Sequence, residues 1–402
     1  KEQRSKMVDS SHDDNTHYSS HQIQELNWQG AIPVVVTLAA SSVSSPQPPA
    51  PIHVLVGRHT YLFLALERAV RQLHAFAPMT VLSSLSSGKV LRNEEPDPGE
   101  SFGKDDDNDD KDASESTAQS SSAPAPAEGS DSSTTTTTTT QKEEKTKELY
   151  PICWFEDEVT RTPLRWQFFA GVLFDSLSNR SNNNTTTSLL PWKIRLHFTA
   201  AYPTTQILPL SASSNNNNNN NHENDTVIHQ VRHYYKNSLK QALCVLHGNN
   251  KLAVNLSKGS HGRLWEAICR ERYDVFQTVK VVDSNNNKNT MIQQRIPVRL
   301  LVDDRPPLQR PCEVVQNSSD TTTPTPTPTT LGDYLSLHLP RVFSPQAQAA
   351  AEQQSQPSSD EIQWTVAGLS RPPLETPMFQ LWQDLMHPDF FLHIMVHTTT
   401  IG

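Results

Sequence analysis

The chain has 402 residues, 35% of them hydrophobic, and at roughly 150 residues per domain this length predicts two or three domains. Residues 88–148 contain sixteen acidic and seven basic residues, which account for the whole formal net charge of -9 and leave 27 acidic and 27 basic residues elsewhere. So balanced a remainder offers no basic field large enough for a duplex, which disfavours nucleic-acid binding, and no nucleic-acid partner is expected.

Polar residues are clustered along the chain. Eight segments rich in Ser, Thr, Asn, Pro, Gln and acidic residues contain 156 residues and leave 246 for folded structure. Such segments bury too little apolar surface to offset the entropy of ordering, so we expect them to be disordered. No apolar run reaches the roughly 18 residues needed to span a bilayer.

The first predicted module begins with an apolar run at 32–39 and contains two further strands with a period of two, at 52–56 and 192–198. The alternation of Leu164, Trp166 and Phe168 predicts another strand. Between them, 60–76 has helical spacing. The order is strand, strand, helix, strand, strand, short helix, strand.

The middle of the chain is predicted to be helical. A helix over roughly 226–247 places its apolar residues within about 60° of one direction when projected at 100° per residue. Lys240 lies about 120° from that direction, so we expect its amine to reach water. A second helix is predicted over roughly 261–280, burying Leu264, Ile268, Val275 and Val279.

The C-terminal part repeats the order of the first module. Trp154 precedes Pro163 by nine residues, and Trp364 precedes Pro373 by the same nine. Strands are predicted near 296–302, 311–315, 362–368 and 390–397, with helices at 331–339 and 377–386. Thr330 followed by Asp333 resembles a capping box at the start of the first of these helices.

The fold class predicted from this repeat is α+β, with two ubiquitin-like (β-grasp) modules flanking a helix-rich region and long disordered inserts. The expected boundaries are a partly disordered N-terminal tail at 1–25, a first ubiquitin-like module at 26–200 with a disordered insert at 88–148, a helix-rich region at 226–280, and a second ubiquitin-like module at 291–402 with disordered inserts at 316–330 and 345–360.

Several side chains are candidate chemical sites. The chain has no Gly-rich nucleotide motif and no G-x-S-x-G, so nucleotide-dependent enzymes and α/β-hydrolases are disfavoured. His229 and His233 are spaced i, i+4, as zinc ligands can be, but no H-E-x-x-H pattern supports them and a solvated helix face is expected. His393 and His397 are expected on a partly exposed sheet face. The acidic run 105–110 lacks the glycine and terminal glutamate of an EF-hand.

The four cysteines, Cys153, Cys244, Cys269 and Cys312, have no C-x-x-C spacing and lie in apolar stretches. This pattern predicts reduced, buried thiols of a cytosolic protein rather than a zinc knuckle or a redox pair.

Motifs in all three regions resemble the autophagy protein 5 family. They are Leu26-Asn27-Trp28-Gln29-Gly30 through Val34, Trp154-Phe155-Glu156 through Pro163-Leu164-Arg165-Trp166, Leu190-Pro191-Trp192-Lys193-Ile194, Asn237-Ser238-Leu239-Lys240-Gln241-Ala242, Thr330-Leu331-Gly332-Asp333 and Pro373-Leu374-Glu375-Thr376-Pro377. The resemblance covers nearly all of the 246 residues counted as folded, and only the inserts depart from it.

The resemblance implies a non-catalytic scaffold without a cofactor or a metal. Lys240 matches the lysine that the family joins by an isopeptide bond to the ubiquitin-like autophagy protein 12. The family also binds the coiled-coil autophagy protein 16. The resulting E3-like complex promotes transfer of autophagy protein 8 from its conjugating enzyme to phosphatidylethanolamine during autophagosome formation. The implied location is cytoplasmic, with recruitment to the preautophagosomal (phagophore) membrane and peripheral membrane contact.

Two function classes therefore remain open after the sequence is read. One is the conjugated scaffold, with Lys240 as acceptor and Lys236 and Lys251 as the neighbouring lysines it must be distinguished from. The other is a metal-dependent hydrolase built on the histidines. The partner helix of the scaffold is expected to dock where the two modules and the helical region meet, because apolar clefts form at module junctions.

Overall fold

The structure is a computed structural model, and it describes ten stretches of the chain. These are residues 19–78, 152–178, 190–198, 202–210, 227–249, 251–279, 295–303, 305–316, 327–343 and 362–398. The predicted inserts 88–148 and 345–360 lie outside the described residues, as does the acidic run 105–110.

The first module is a four-stranded sheet covered by helices. Its strands are β1 (Ala31–Leu38), β2 (Ile52–Gly57), β3 (Trp154–Asp157) and β4 (Trp192–His197), in the order β2-β1-β4-β3. β1 and β4 are parallel, and the outer strands are antiparallel to them. The helices are α1 (Ser20–Gln29), α2 (Leu62–Ala65), α3 (Glu67–His74) and α4 (Ala170–Ser178).

One side of this sheet forms the core of the module. Ile32, Val34 and Val36 alternate along β1 and are fully buried, and Leu66 and Val70 of the predicted helix 60–76 are buried too. Burying each such side chain contributes roughly 1.5–3 kcal/mol. The helix is divided at Leu66, which ends α2 and precedes α3, so the periodicity predicted the buried face correctly but not the break.

The predicted strand at Leu164–Phe168 is wrong. Its three alternating side chains are buried as expected, but the segment contains a turn and makes only isolated bridges at its ends. Trp166 donates its indole N–H to the carbonyl of Leu208 at 2.9 Å. The alternating apolar residues of this segment are therefore buried by packing against other parts of the chain, such as the segment that contains Leu208, and not because the segment is a strand of the sheet.

The boundary expected between the N-terminal tail at 1–25 and the first module falls inside a helix, because α1 begins at Ser20. Ser19 caps the helix and forms a capping box with Gln22, a signal that the sequence contains and that the prediction missed. Trp28 is buried against Tyr273 and Phe276, which holds the helix onto the rest of the fold.

The middle region contains four helices among the described residues. They are α5 (Val227–His247), α6 (Lys251–Asn255), α7 (Lys258–Cys269) and α8 (Tyr273–Gln277). The single helix predicted at 261–280 is divided between α7 and α8 by a turn in which Glu271 has a φ of 54°. In that turn the Glu271 carboxylate accepts the backbone N–H of Gly57 at 3.1 Å, so a contact with the first module ends the helix.

The second module repeats the sheet of the first with an additional short strand. Its main sheet has the order β12-β11-β13-β6-β7, with β6 parallel to β13. The strands of the module are β5 (Arg295–Ile296), β6 (Val298–Val302), β7 (Leu308–Gln309), β8 (Cys312–Glu313), β9 (Val315–Gln316), β10 (Thr327–Pro328), β11 (Ile362–Val366), β12 (Leu369–Ser370) and β13 (Leu392–Thr398). Its helices are α9 (Leu331–His338), α10 (Pro340–Phe343) and α11 (Met378–Leu385).

The two modules correspond element by element. Trp154 on β3 and Trp364 on β11 lie on strands that pair antiparallel with β4 and β13, respectively. Asp175 on α4 and Asp384 on α11 are both buried. The predicted fold class, two ubiquitin-like modules flanking a helical region, is confirmed.

The insert predicted at 316–330 has ordered ends. Gln316 and Thr327 pair across β9 and β10, and Thr330 forms the expected capping box with Asp333. Backbone pairing and capping therefore extend into a stretch whose composition suggested disorder.

The cysteine prediction is half right. All four thiols are free, and Cys153 and Cys312 are buried, but Cys244 and Cys269 are exposed. Burial raises the pKa of Cys312 to about 12. Both exposed cysteines lie on helices whose apolar neighbours face inward, so an apolar stretch of sequence did not distinguish the two faces.

Within the described stretches, no helix has both the length and the apolar character that crossing a membrane requires.

Candidate functional site

Lys240 lies on the exposed side of α5, as the helical projection predicted. The opposite face of the helix is buried, with Val231, Tyr235 and Leu239 in the core. Ile228, also predicted on that face, is only partly buried. Lys240 therefore follows a core residue directly, and its backbone is held by helix packing while its side chain reaches water.

A buried ion pair fixes this part of α5 to the second module. The Ser238 hydroxyl donates to the Asp389 carboxylate at 2.5 Å. Arg299 of β6 donates to that carboxylate at 2.8 Å and to the Ser238 oxygen at 2.7 Å. The Arg299 guanidinium also lies 3.7 Å from the centre of the Phe391 ring. Because each charge is bonded in place, the burial of this pair is compensated.

Tyr235 makes a second contact between the same two elements. Its buried hydroxyl donates to the carbonyl of Pro388 at 3.3 Å, and its ring lies 5.9 Å from that of Trp265 on α7. Burial raises the pKa of Tyr235, so the hydroxyl stays a donor. Ser238 and Tyr235 are two and five residues before Lys240, so together they set the rotation of α5 at the lysine.

Sequence reasoning did not identify Ser238, Asp389 or Arg299 as parts of the site. Arg299 lies within an otherwise apolar strand, and a charged residue in such a run signals a buried partner. The identity of that partner depends on tertiary contacts, because Asp389 is 90 residues from Arg299 and 151 from Ser238.

The charges around Lys240 are positive. Arg232 and Lys236 precede it on α5 at intervals of four residues, and Lys258 belongs to the first turn of α7. Desolvation, followed by repulsion from Arg232, Lys240 and Lys258, lowers the pKa of Lys236.

The histidines proposed as alternative ligands do not form a metal site in the described part of the chain. No group of three His, Cys, Asp or Glu side chains there has the geometry to hold a metal ion. His233 is exposed, while His229, also on α5, is partly buried.

The expectation that His393 and His397 lie on a partly exposed sheet face is wrong, because both are buried. Leu392–His397 of β13 is buried on both faces, and α4 of the first module packs against this strand. Phe168 lies with its ring 6.0 Å from that of His393, so the first module covers the face that was expected to meet solvent.

Three buried imidazoles meet at this junction. The rings of His59 and His387 are 5.0 Å apart, and those of His387 and His393 are 4.5 Å apart. Desolvation, the main cause, lowers the pKa of His59 to about 3 and that of His393 to about 4, and places that of His387 well below its ordinary value.

An ion pair of the first module contacts the β11–β12 turn of the second module at the same junction. Arg58 pairs with Asp175, and the backbone N–H of Gly368 donates to that carboxylate. Desolvation raises the pKa of Asp175, against the opposing effect of Arg58. A Cβ on Gly368 would lie 2.7 Å from the Arg58 guanidinium, so only glycine fits there.

Family descriptions match all three regions of the chain. "Autophagy protein ATG5, UblA domain" matches residues 27–87 and 132–198, "alpha-helical bundle region" of the same family matches 228–281, and its "UblB domain" matches 295–396. Together these matches span more than half of the 402 residues.

Relatives named autophagy protein 5 are similar over most of their length. The Arabidopsis thaliana protein is 24% identical over 288 residues, which cover 58% of this chain and 76% of the relative. The Scheffersomyces stipitis protein is 24% identical over 245 residues, which cover 60% of this chain and 75% of the relative. The Phaeosphaeria nodorum protein is 27% identical over 263 residues, which cover 60% of this chain and 75% of the relative.

A solved structure has the same fold. The crystal structure of Kluyveromyces marxianus Atg5 matches with a TM-score of 0.54 and 19% identity, covering 93% of this chain and 98% of that one. With both ubiquitin-like domains and the helical region matched in order, the chain belongs to the autophagy protein 5 family and has a role in autophagy.

Proposed function

We propose that the chain is a non-catalytic scaffold of autophagy, conjugated through Lys240 to autophagy protein 12. With the coiled-coil autophagy protein 16, it acts in an E3-like complex that promotes lipidation of autophagy protein 8 with phosphatidylethanolamine. The observation that carries the proposal is the exposed Lys240 on a helix held by the Ser238, Asp389 and Arg299 bonds, in a chain of this family.

The proposed reaction is the aminolysis of a thioester. The neutral Lys240 amine attacks the carbonyl carbon of the C-terminal glycine of the modifier, so that a C–N bond forms and the C–S bond to the delivering enzyme breaks. The enzyme cysteine leaves as a thiolate. It takes up one proton, which balances the proton that the amine loses. An ordinary lysine amine is neutral in only about one molecule in 10³ to 10⁴ at pH 7, so the reaction needs a base.

This chain contributes position to that reaction rather than a base. No carboxylate or neutral histidine in the described residues forms a hydrogen bond or ion pair with Lys240. The delivering enzyme is therefore expected to remove the proton. A lysine whose backbone is fixed by packing presents its amine in a narrower range of positions, which favours attack.

The coiled-coil partner is proposed to bind at the junction of the two modules and the helical region. Part of that junction is filled by α1, whose Gln24 accepts the Tyr273 hydroxyl at 2.8 Å and donates to the carbonyl of Gln383. Helix α1 of the first module thus contacts both the helical region and the second module, so a partner helix of similar size bound nearby could contact all three regions. Cross-linking the partner helix to the whole chain should label residues of both modules and of 227–279, and labels confined to one module would contradict a shared groove.

The proposed location is the cytoplasm, with recruitment to the phagophore membrane through these partners and peripheral contact with the lipid. Fractionation of cells should find the chain soluble when autophagy is inactive and partly membrane-bound when it is induced. Equal distribution under both conditions would contradict recruitment.

The test of the conjugation itself is to purify the chain from autophagy-competent cells and measure its intact mass. We expect a species heavier by one ubiquitin-like modifier. Peptide mapping should place the branched linkage at Lys240, and a linkage at Lys236 or Lys251 would contradict the assignment.

A further inference from the structure

The cations around Lys240 form a continuous surface. Arg232, Lys236 and Lys240 are spaced four residues apart, so their side chains line one side of α5. Helix α7 packs beside them, since its Trp265 ring lies 5.9 Å from the Arg232 guanidinium and 5.9 Å from the Tyr235 ring. Lys258 is two turns before Trp265 on the same side of α7. We call the four residues Arg232, Lys236, Lys240 and Lys258 the cationic face.

The cationic face is not neutralised within the described part of the chain. None of its Arg or Lys side chains forms an ion pair with a described carboxylate. Glu266, the acidic residue of α7, pairs instead with Arg270 at 2.9 Å. Arg232 lies over the Trp265 ring at 5.9 Å.

This arrangement costs the isolated chain stability. Like charges four residues apart destabilise a helix, and a lysine in the first turn of α7 opposes the helix dipole. A surface that is unfavourable by itself becomes favourable when a negatively charged partner covers it.

We propose that the cationic face is the docking surface for an acidic surface on the enzyme that delivers autophagy protein 12 as a thioester. This inference rests on the proposed function of Lys240. Opposite charges steer the two proteins together and fix their relative orientation, which places the thioester within reach of the amine.

A protein fits this face better than a membrane does. Lys240 lies within the face, so a bilayer pressed onto it would cover the amine before conjugation. A ubiquitin-sized modifier attached to Lys240 would then hold a bilayer away from the same residues. A delivering enzyme has to approach this face in any case, because it carries the reacting carbonyl.

The experiment measures conjugation of the full chain by the loaded enzyme at enzyme concentrations below saturation. Lys236→Glu combined with Lys258→Glu reverses two charges and leaves the acceptor in place. We expect the initial rate to fall at least about tenfold at low ionic strength. Raising the ionic strength should slow conjugation of the wild-type chain and leave the conjugation rate of the double variant almost unchanged.

Two further variants complete the design. Lys193→Glu makes the same change on an exposed lysine of β4 in the first module, and we expect it to conjugate at the wild-type rate. If circular dichroism shows that the doubly charge-reversed chain does not fold, Lys236→Gln with Lys258→Gln takes its place. We expect this neutral double variant to lower the initial rate of conjugation about threefold.

The outcomes separate the two proposals. A wild-type chain that forms no conjugate, or a Lys240→Arg chain that still forms it, contradicts the proposed function and this inference together. Conjugation at Lys240 with the same rate and salt dependence in the double charge reversal contradicts the inference alone. The inference is also overturned if that variant conjugates normally but loses binding to vesicles of phosphatidylserine and phosphatidylcholine, which would assign the face to a membrane.

Discussion

Arg299 shows how a single residue links the second module to the helix that carries Lys240. Its guanidinium bonds both Asp389 and Ser238, and all three groups are buried. The sequence indicates that an arginine within Val298–Val302 needs a partner, but it does not indicate which of the 43 acidic residues supplies it. That choice depends on how the chain folds in three dimensions.

Arg299→Met tests this bond network. Removing the arginine leaves the Asp389 carboxylate buried without its countercharge, so we expect the free energy of unfolding to fall by roughly 3–5 kcal/mol. Adding Asp389→Leu should restore much of the loss, because two apolar side chains can replace a buried ion pair. Urea denaturation measures both changes, and a single variant as stable as the wild type would show that the pair does not hold α5.

The three imidazoles of His59, His387 and His393 predict sensitivity to acid. The unfolded chain binds protons at these histidines as the pH falls below the ordinary histidine pKa of 6.5. Burial lowers the folded-state pKa of His59 to about 3 and that of His393 to about 4, and it lowers the pKa of His387 well below the ordinary value. Stability should therefore be lost between pH 6.5 and 4, with each histidine contributing about 1.4 kcal/mol per pH unit at most. Other groups facing the cluster are Arg58, Arg299 and Asp389.

His393→Phe isolates one of these contributions. The variant should show a shallower dependence of unfolding free energy on pH across that window, whatever its stability at pH 7. Equal slopes for the variant and the wild type would mean that His393 takes up its proton equally in the folded and unfolded chains, which would contradict a lowered pKa.

Among whole elements, β13 is buried along nearly its whole length, as a strand covered on both faces is. His393 and His397 interrupt its apolar residues, and this alternation suggested an exposed face. The strands and their order followed from the repeat, because both modules use the same spacing. Contacts between regions accompany the break at Glu271 and hold α1 in place, and no local pattern specifies them. The capping box at Ser19 is a local signal for α1, whereas no local pattern marks the break at Leu66.

The β11–β12 turn offers a test of how the modules are joined. Gly368→Ala places a Cβ 2.7 Å from the Arg58 guanidinium at a φ of 87°, so we expect a loss of roughly 1–3 kcal/mol. Gly262→Ala is the matched control, because nothing lies within 4 Å of its Cβ and alanine favours helix α7. Thermal unfolding should separate them, and equal melting temperatures would contradict close docking of the turn.

At the scale of the whole molecule, the second module is unlike an independent ubiquitin-like domain. Every residue of β6 is buried, and Ser238 of α5 accepts a hydrogen bond from Arg299 of this strand. His59 and Phe168 of the first module lie against His387 and His393 of the second. A fragment of residues 291–402 would expose these surfaces to water.

We therefore expect fragment 291–402 to lack fixed tertiary packing by itself. Near-ultraviolet circular dichroism should show little signal from its aromatic side chains, while the far-ultraviolet spectrum retains secondary structure. A fragment with a sharp, cooperative melting transition would show that the module folds without its neighbours.

The central claim is that this molecule is a rigid support for one acceptor lysine, and the most direct measurement is conjugation in cells that express Lys240→Arg or Lys236→Arg. Both changes keep the positive charge and remove a primary amine, so neither should alter the fold. We predict that the species heavier by one modifier disappears in Lys240→Arg and persists in Lys236→Arg. A heavier species of undiminished abundance in Lys240→Arg would contradict the account.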